Sequence, residues 1–346
     1  MLPPESLYSG SDGSWHSSIG SIKEFKECFV SGKYTSDSLS SGTPPGYEIS
    51  TEQYQTLLDL FDHASGASWS RSDRWGIGDP CSNEWFGVVC DCDRNVIGLL
   101  LPNNGLTGFI PGSISNLQFL RVLDLHSSVL SPQFDGNSIA LNSLSGIVPT
   151  LSNLIHLIVL DLSGNRIAGF ASDLSSNVNL EILSLAGNAL SVFPTGLEYL
   201  SKLRIFEVRD NIIEDSVPTA AICGMSDIFI LDIGNNTLSG SFYDPCLESL
   251  NPLVFDLSAP HPWTSDPPTG LTGTVPASMV SSWTNIKNGY LSLYLQFSID
   301  GHFASACSGV RFCRPSNFMS HDDLAWTQGG SGVPQTVYQS IQLAGG

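Results

Sequence analysis

Side chains that could do acid–base or metal chemistry are scattered through this sequence rather than grouped in a motif. The histidines stand at positions 16, 63, 126, 156, 261, 302 and 321, and none has the spacing of a known metal site. His321, Asp322 and Asp323 could together hold a cation, but a solvated loop is the favoured explanation. No phosphate-binding glycine loop, zinc-protease histidine pair or nucleophile elbow occurs. We therefore expect no enzymatic activity and no resident metal or cofactor.

The excess of acidic residues restricts the partners. The chain has 33 Asp and Glu against 14 Lys and Arg, a net charge of −19. Such a chain repels phosphate, so nucleic acid and anionic lipid surfaces are excluded as general partners. No apolar run approaches the ~20 residues that cross a bilayer, so we predict no membrane-spanning segment in this chain. The start lacks the apolar core of a signal peptide, so Met1 either follows a removed signal or belongs to an incomplete start.

The cysteines indicate an oxidising compartment. There are eight, and no C-x-x-C pair occurs, which gives little support to a zinc or thioredoxin-type site. Disulfides persist in secreted and cell-surface proteins. Together with the acidic, Lys-poor composition, this predicts an extracellular or cell-surface protein.

Repeats of about 24 residues must position all of these side chains. One frame reads Val96, Leu99, Leu101, Asn104 and Leu106, and first positions recur at 96, 120, 157, 180, 203, 228 and 252. The steps of 24, 37, 23, 23, 25 and 24 lie in the leucine-rich-repeat range. The L-x-L stretch alternates as a short strand, and stacked coils bury its leucines in one continuous core. We therefore predict an α/β repeat fold, a leucine-rich-repeat solenoid.

The asparagine of each repeat has a predicted structural role. Its side chain can bond backbone groups where the chain turns inward, so we do not read it as a catalytic amide. The residues concerned are Asn104, Asn142, Asn165, Asn188, Asn211 and Asn236.

The amino-acid sequence of the repeats resembles that of one family. LTGFIP, LSGIVP and LTGTVP stand at Leu106–Pro111, Leu144–Pro149 and Leu271–Pro276, and Trp75–Cys90 resembles an N-terminal cap. These motifs are similar to the plant-type extracellular leucine-rich-repeat family, which includes receptor ectodomains and polygalacturonase-inhibiting proteins. The resemblance implies a curved solenoid with disulfide-bonded caps, and recognition on its inner sheet or on its edges.

Four disulfides are predicted. The pairs are Cys81–Cys90, Cys223–Cys246, Cys307–Cys313 and Cys28–Cys92. The first is implied by the resemblance of the cap. The second joins cysteines 23 residues apart, close to one repeat, which stacking places side by side. The third is the local choice near the C-terminus, and the fourth remains by elimination.

Four regions follow along the chain. A Ser/Gly-rich extension covers 1–48, an N-terminal cap 49–94, the repeats 95–285, and a C-terminal cap and tail 286–346. In the N-terminal cap, Ser50 and Gln53 have the spacing of a capping box at the start of a helix. In the last region, alternation from Leu291 to Ile299 predicts one long half-buried strand.

The residue between the two strand leucines is the first candidate for binding. It is predicted to point to the concave surface, where parallel strands lie ~4.8 Å apart. We call these residues the acidic row: Asp124, Asp161, Ser184, Glu207, Asp232 and Asp256. Such a row could attract a cationic peptide, a divalent ion or sugar hydroxyls. Alternatively it is simply solvated, and Arg121, Arg204 and Arg209 on the same surface can offset its charge.

Two insertions and one glycosylation motif are further candidates. Residues 126–141 and 258–270 lengthen two repeats at the same point, so we predict that both project from one side. Phe134, His261 and Trp263 are their candidate partner-binding residues, unless these are tolerated surface loops. Asn235 begins the single N-x-[ST] motif and is a predicted glycosylation site.

Two classes of function fit these features. The first is a non-catalytic extracellular recognition module that binds a protein, peptide or polysaccharide. The second is a structural subunit of a cell-surface layer, matrix or filament that assembles with itself. A third, less supported hypothesis is an enzyme, or an inhibitor of an enzyme, acting on wall polysaccharide.

Overall fold

The computed structural model describes most of the cap and repeats. The described residues are 49–127, 140–241 and 243–257, with the short segments 271–272, 274–275, 282–283, 290–293, 298–299 and 312–315. Helix α1 is Thr51–His63 and helix α2 is Thr219–Gly224. The strands are β1 Val88–Cys90, β2 Val96–Leu100, β3 Thr107–Gly108, β4 Val122–Asp124, β5 Ser143–Val148, β6 Val159–Asp161, β7 Arg166–Phe170, β8 Ile182–Ser184, β9 Ile205–Glu207, β10 Ile230–Asp232, β11 Gly240–Ser241, β12 Val254–Asp256, β13 Leu271–Thr272, β14 Thr274–Val275, β15 Tyr290–Leu293, β16 Ser298–Ile299 and β17 Phe312–Pro315.

Helix α1 begins at the predicted residue but is held differently from a capping box. The Ser50 hydroxyl oxygen accepts from the Gln53 N–H at 3.3 Å, as an N-cap should. The Gln53 side chain does not return to the Ser50 backbone. Its amide nitrogen donates to Ser50 Oγ at 3.2 Å, and its carbonyl oxygen accepts from the Val96 N–H at 2.8 Å. Gln53 therefore joins the cap helix to the first repeat strand.

The cap packs around an aromatic core and one disulfide. Leu57 and Leu60 of α1 are fully buried, and Trp85 is 1% exposed. Cys81 and Cys90 are bridged with their Cα atoms 5.7 Å apart, the pairing implied by the resemblance. The cap thus closes the apolar end of the repeat core with a helix and a bridged loop.

One ten-stranded sheet runs through the solenoid. Its order is β1-β2-β4-β6-β8-β9-β10-β12-β15-β17, and β1 pairs with β2 as the antiparallel edge. All other neighbours in it are parallel and in register, so the leucines of successive coils stack on one face. On the L-x-G-x-[IV]-P side, β3-β5-β7, β11-β13 and β14-β16 form small parallel sheets.

The sheet continues beyond residue 285. Strand β15 pairs with β12 and with β17, whereas β16 pairs with β14 on the other side of the coil. The single strand predicted from Leu291 to Ile299 is therefore wrong, because Tyr290–Leu293 and Ser298–Ile299 lie in different sheets. The alternation belongs to two strands of one coil. The domain boundaries themselves stay predictions.

The repeat asparagines have the predicted structural role. Asn142 is 3% exposed, and its side-chain oxygen accepts from the N–H groups of Asn104 and Leu106 at 2.9 Å. Its Nδ2 lies 2.9–3.0 Å from the carbonyl oxygens of Leu101, Leu125 and His126. Asn165, Asn188, Asn211 and Asn236 repeat this pattern between their own neighbouring coils.

The residue before the asparagine is left-handed in most repeats. Positive φ angles are found at Asn103, Gly164, Gly187, Asp210 and Asn235. Gly, Asn and Asp are the residues that tolerate this conformation best. The composition of this position is therefore explained by the turn.

Candidate functional site

The acidic row lies in register across the main sheet. Asp124 is opposite Asp161, Asp161 opposite Ser184, and Ser184 opposite Glu207. Asp232 continues the row from Glu207, and Asp256 follows Asp232. The topology thus brings together the six side chains that the sequence groups.

The structure does not place this row in solvent. Every member is at most 8% exposed, from 0% at Asp124 and Asp232 to 8% at Glu207. A second row, two residues earlier in each strand, is equally buried and forms an apolar cluster separate from the leucine core: Val122, Val159, Ile182, Ile205, Ile230 and Val254. The expectation of a solvated ladder is therefore wrong. The carboxylates are in contact with His126 and Arg209, each two residues past a strand position of the row, and with a serine of the row itself.

At one end of the row, three ionisable side chains meet. His126 Nδ1 lies 2.7 Å from Asp124 Oδ1 and 3.7 Å from Asp161 Oδ2. Asp161 Oδ1 accepts from the Ser163 N–H at 3.0 Å and from the Ser163 hydroxyl at 2.7 Å. Burial raises the pKa of Asp161; His126 lowers it and Asp124 raises it further. One ligand atom from each of Asp124, His126 and Asp161 lies within 4.8 Å of the others, so this group could hold a metal ion.

At the other end, an arginine compensates part of the acidic charge. Arg209 Nε is 3.2 Å from Asp232 Oδ2, and Arg209 is one of the three arginines expected on this surface. Burial raises the pKa of Asp232 well above its usual range; Arg209 opposes the shift, and Asp256 and Glu207 add to it. Between the two ends, the Ser184 hydroxyl donates to Glu207 Oε2 at 3.1 Å. The row is therefore a set of local polar contacts, not a uniform negative strip.

The predicted loop residues and some cysteines cannot be placed. Phe134, His261 and Trp263 lie outside the described residues, and their roles stay predictions. Cys223 and Cys246 are bridged with their Cα atoms 5.7 Å apart, as predicted from the repeat spacing. Cys92 is also disulfide-bonded. Cys28, Cys307 and the side chain of Cys313 are outside the described residues, so the pairings Cys28–Cys92 and Cys307–Cys313 stay predictions.

The glycosylation motif lies in the left-handed turn. Asn235 has a φ of 51°, and its Nδ2, the atom that would carry a glycan, donates to Asp210 Oδ1. The Thr237 hydroxyl donates to the Ile213 carbonyl oxygen at 2.9 Å. Both motif side chains thus have structural contacts. Glycosylation of Asn235 stays a prediction.

One exposed surface was missed by the sequence reasoning. The turn that precedes each strand carries Phe119 in one coil, Ile155 and His156 in the next, and Val178 in the third. The three apolar side chains are 45%, 49% and 43% exposed. The Phe119 and His156 rings are parallel to within 4°, with centroids 6.2 Å apart. We call these four residues the pre-strand patch; its signal in the sequence is an apolar residue where the repeat calls for a polar one.

The edge of this patch is polar. Asn179, which follows Val178, donates to the Ile155 carbonyl oxygen at 2.8 Å. Lys202 Nζ donates to Asn179 Oδ1 at 2.7 Å from the next coil. These contacts show that equivalent turns of consecutive coils lie side by side. The turns that carry the pre-strand patch are therefore adjacent, with Asn179 and Lys202 at one polar edge.

Comparisons with known proteins find stretches of this chain that are similar to plant leucine-rich-repeat receptor proteins. A probable leucine-rich repeat receptor-like protein kinase of Arabidopsis thaliana is 43% identical over 54 residues, 16% of this chain and 6% of the relative. Receptor-like protein kinase 7 of Arabidopsis thaliana is 34% identical over 123 residues, 34% of this chain and 11% of the relative. The chain thus spans about a tenth or less of the length of these relatives. No family model matches it.

Solved structures show the same fold. The Arabidopsis receptor kinase HAESA in complex with the peptide hormone IDA and the co-receptor SERK1 matches with a TM-score of 0.57 and 23% identity, over 76% of this chain and 40% of that chain. The PEPR1-AtPEP1 structure matches with a TM-score of 0.56 and 23% identity, over 74% of this chain and 37% of that chain. A plant ice-binding protein matches with a TM-score of 0.52 and 21% identity, over 73% of this chain and 78% of that chain.

No helix among the described residues is long and apolar enough to cross a membrane.

The structure has the fold that the repeat motif predicts. It combines a bridged cap with an in-register parallel sheet, and the relatives carry leucine-rich repeats. The chain is a leucine-rich-repeat solenoid, and stretches of it are similar to plant leucine-rich-repeat receptor proteins.

Proposed function

We propose that this protein is a non-catalytic, extracellular recognition module that binds a protein partner through the pre-strand patch. The observation that carries the proposal is the exposure of Phe119, Ile155 and Val178 on consecutive coils, at 45%, 49% and 43%. Exposed apolar surface bordered by polar residues, as here by Asn179 and Lys202, is typical of protein–protein contacts.

The acidic row is a less suitable partner-binding surface than the pre-strand patch. A partner would have to reach carboxylates that are at most 8% exposed and already in contact with Arg209, His126 and serine side chains. The pre-strand patch needs no such rearrangement. Its exposed aliphatic side chains suit a protein better than a polysaccharide, because sugars present mainly hydroxyl groups. The bridged Cys81–Cys90 and Cys223–Cys246 pairs support an extracellular location.

The test compares two double substitutions. Phe119→Ser/Ile155→Ser removes apolar area from the patch, and Ile147→Ser/Ile212→Ser is the control, since Ile147 and Ile212 are 59% and 60% exposed away from it. Purified wild-type protein is first used to capture and identify a partner from the extracellular fraction of its source. Each variant is then titrated against that purified partner, with folding checked by circular dichroism.

We expect the patch variant to bind at least about tenfold more weakly, since truncating a hot-spot residue costs about 2 kcal/mol or more. The control variant should bind like wild type. Equal binding by both variants would refute the patch. Light scattering during size-exclusion chromatography distinguishes a recognition module from a self-assembling structural subunit. A concentration-dependent polymer that the patch variant no longer forms would mean that the partner is a second copy of this chain.

A further inference from the structure

We propose that Asp124, His126 and Asp161 form a binding site for one divalent first-row transition-metal ion, with Zn²⁺ as its probe. The three ligand atoms lie within 4.8 Å of one another. His126 Nδ1 is 2.7 Å from Asp124 Oδ1 and 3.7 Å from Asp161 Oδ2. Around a tetrahedral Zn²⁺ with bonds of about 2.0–2.1 Å, neighbouring ligand atoms are about 3.3 Å apart. The observed distances lie on either side of that value, so small side-chain movements suffice.

Strand geometry brings these ligands to one point. Asp124 and His126 are two residues apart, so their side chains leave the same face. Asp161 is the register partner of Asp124 in the neighbouring strand. The ladder continues past the strand end, because the Ser127 N–H bonds the Ser163 carbonyl oxygen at 2.8 Å. The backbone that holds the three ligands is therefore fixed on both strands.

A supporting hydrogen-bond shell orients one carboxylate. The Ser163 N–H and hydroxyl both donate to Asp161 Oδ1, at 3.0 and 2.7 Å. Asp161 Oδ2 is the oxygen that faces His126. Metal-ligating carboxylates are commonly held in this way by donors on their other oxygen. Ser163 therefore presents Oδ2 in the orientation that a ligand needs.

The donor set selects the class of ion. One imidazole nitrogen with two carboxylate oxygens suits Zn²⁺ and its first-row neighbours, whereas Mg²⁺ and Ca²⁺ prefer oxygen ligands alone. Two carboxylates match the charge of a divalent cation, and all three side chains are at most 8% exposed. The other His/Cys/Asp/Glu group within the described ranges includes Cys223 and Cys246, which are bridged. A bound ion would clamp β4 to β6 at the start of the insertion.

The experiment uses the full, untagged, oxidised chain after removal of metals with EDTA. Zn²⁺ is titrated by calorimetry, the metal content is measured after dialysis, and thermal unfolding is followed with and without Zn²⁺. We expect one Zn²⁺ per chain and a higher unfolding temperature, because an ion that binds the folded state stabilises it. Co²⁺ should give the intense visible absorption of tetrahedral coordination. A folded wild-type protein that binds no Zn²⁺ would overturn the proposal.

Variants decide where the ion binds. His126→Asn keeps a nitrogen near the Nδ1 position but removes the ligand, and Asp161→Asn removes a ligand charge. We expect each to weaken Zn²⁺ binding at least about 100-fold, and Ser163→Ala about tenfold. Asp256→Asn, at the far end of the acidic row, should bind like wild type. Undiminished binding by the first two variants would overturn the proposal; if neither folds, undiminished binding by Ser163→Ala would do so.

Discussion

Arg209 Nε lies 3.2 Å from Asp232 Oδ2, which joins two neighbouring coils through a charge pair on the strand face. The carboxyl side chain is 0% exposed and that of Arg209 is 15% exposed. The guanidinium also reaches Asp210 Oδ2 at 3.0 Å. Arg209 therefore holds a carboxylate of its own turn and one of the next coil.

Replacing Arg209 by Met should destabilise the protein by about 3 kcal/mol at neutral pH, because it leaves the Asp232 carboxylate buried without its main counter-charge. Urea unfolding followed by circular dichroism measures the loss. The double variant Arg209→Met/Asp232→Leu should regain most of it, since the buried charge is removed as well. A loss below about 0.5 kcal/mol in the single variant would contradict the prediction, because it would equal the contribution of an ordinary surface ion pair.

The pKa of Asp232 predicts how stability depends on pH. Burial, first of all, raises it well above its usual range in the folded protein. The folded state therefore binds this proton more tightly than the unfolded state, and the contribution of Asp232 is fully present below the unfolded pKa of about 4. It is lost as pH rises through the folded pKa. The folded protein is therefore less stable when the Asp232 side chain is ionised.

Asp232→Asn should therefore reduce the loss of stability on raising the pH from 4 toward neutral. Urea midpoints of wild type and variant across this range measure the difference. Asp215→Asn is a suitable control, since Asp215 is a more exposed carboxyl outside the acidic row. Parallel curves for wild type and Asp232→Asn would contradict the prediction.

The repeat frame explains how much of this structure could be predicted. L-x-L spacing fixes which side chains share a face, so the register of Asp124 with Asp161 follows from their equal positions in two repeats. The asparagine contacts follow in the same way, because each coil presents the same turn to the next. The Cys223–Cys246 bridge needed only a separation close to one repeat.

What could not be predicted depends on side-chain environment. Nothing in the pattern reveals that Asp124 and Asp232 are 0% exposed, since an alternating strand leaves the cover of its outer face open. His126 was not grouped with the carboxylates, because its partner Asp161 is 35 residues away across the insertion. Gln53 has the spacing of a local cap, but its carbonyl oxygen accepts from the Val96 N–H, 43 residues along the chain, which local spacing does not reveal.

Asn142→Ala should destabilise the protein by about 3 kcal/mol or more. Its side chain satisfies two backbone N–H groups and three carbonyl oxygens between coils, and all of these lose a buried partner. Asn153→Ala, an exposed position on the same coil, is the control and should change stability by less than about 0.5 kcal/mol. Chemical unfolding compares the two. Similar losses would mean that Asn142 is not specially required.

Gly164→Ala and Gly187→Ala form a matched pair at the same turn position. Both residues are left-handed, with φ of 69° and 64°, so each substitution should cost about 1 kcal/mol from backbone strain alone. A Cβ at Gly164 would stand 1.9 Å from the Ser127 carbonyl oxygen, whereas at Gly187 it would meet nothing closer than 3.6 Å. The backbone must therefore move to accommodate Gly164→Ala but not Gly187→Ala. Gly164→Ala should therefore lower the free energy of unfolding by at least about 2 kcal/mol more than Gly187→Ala, as measured by urea denaturation. Equal losses would show that the left-handed backbone alone requires glycine at position 164, and not the close approach of the preceding coil.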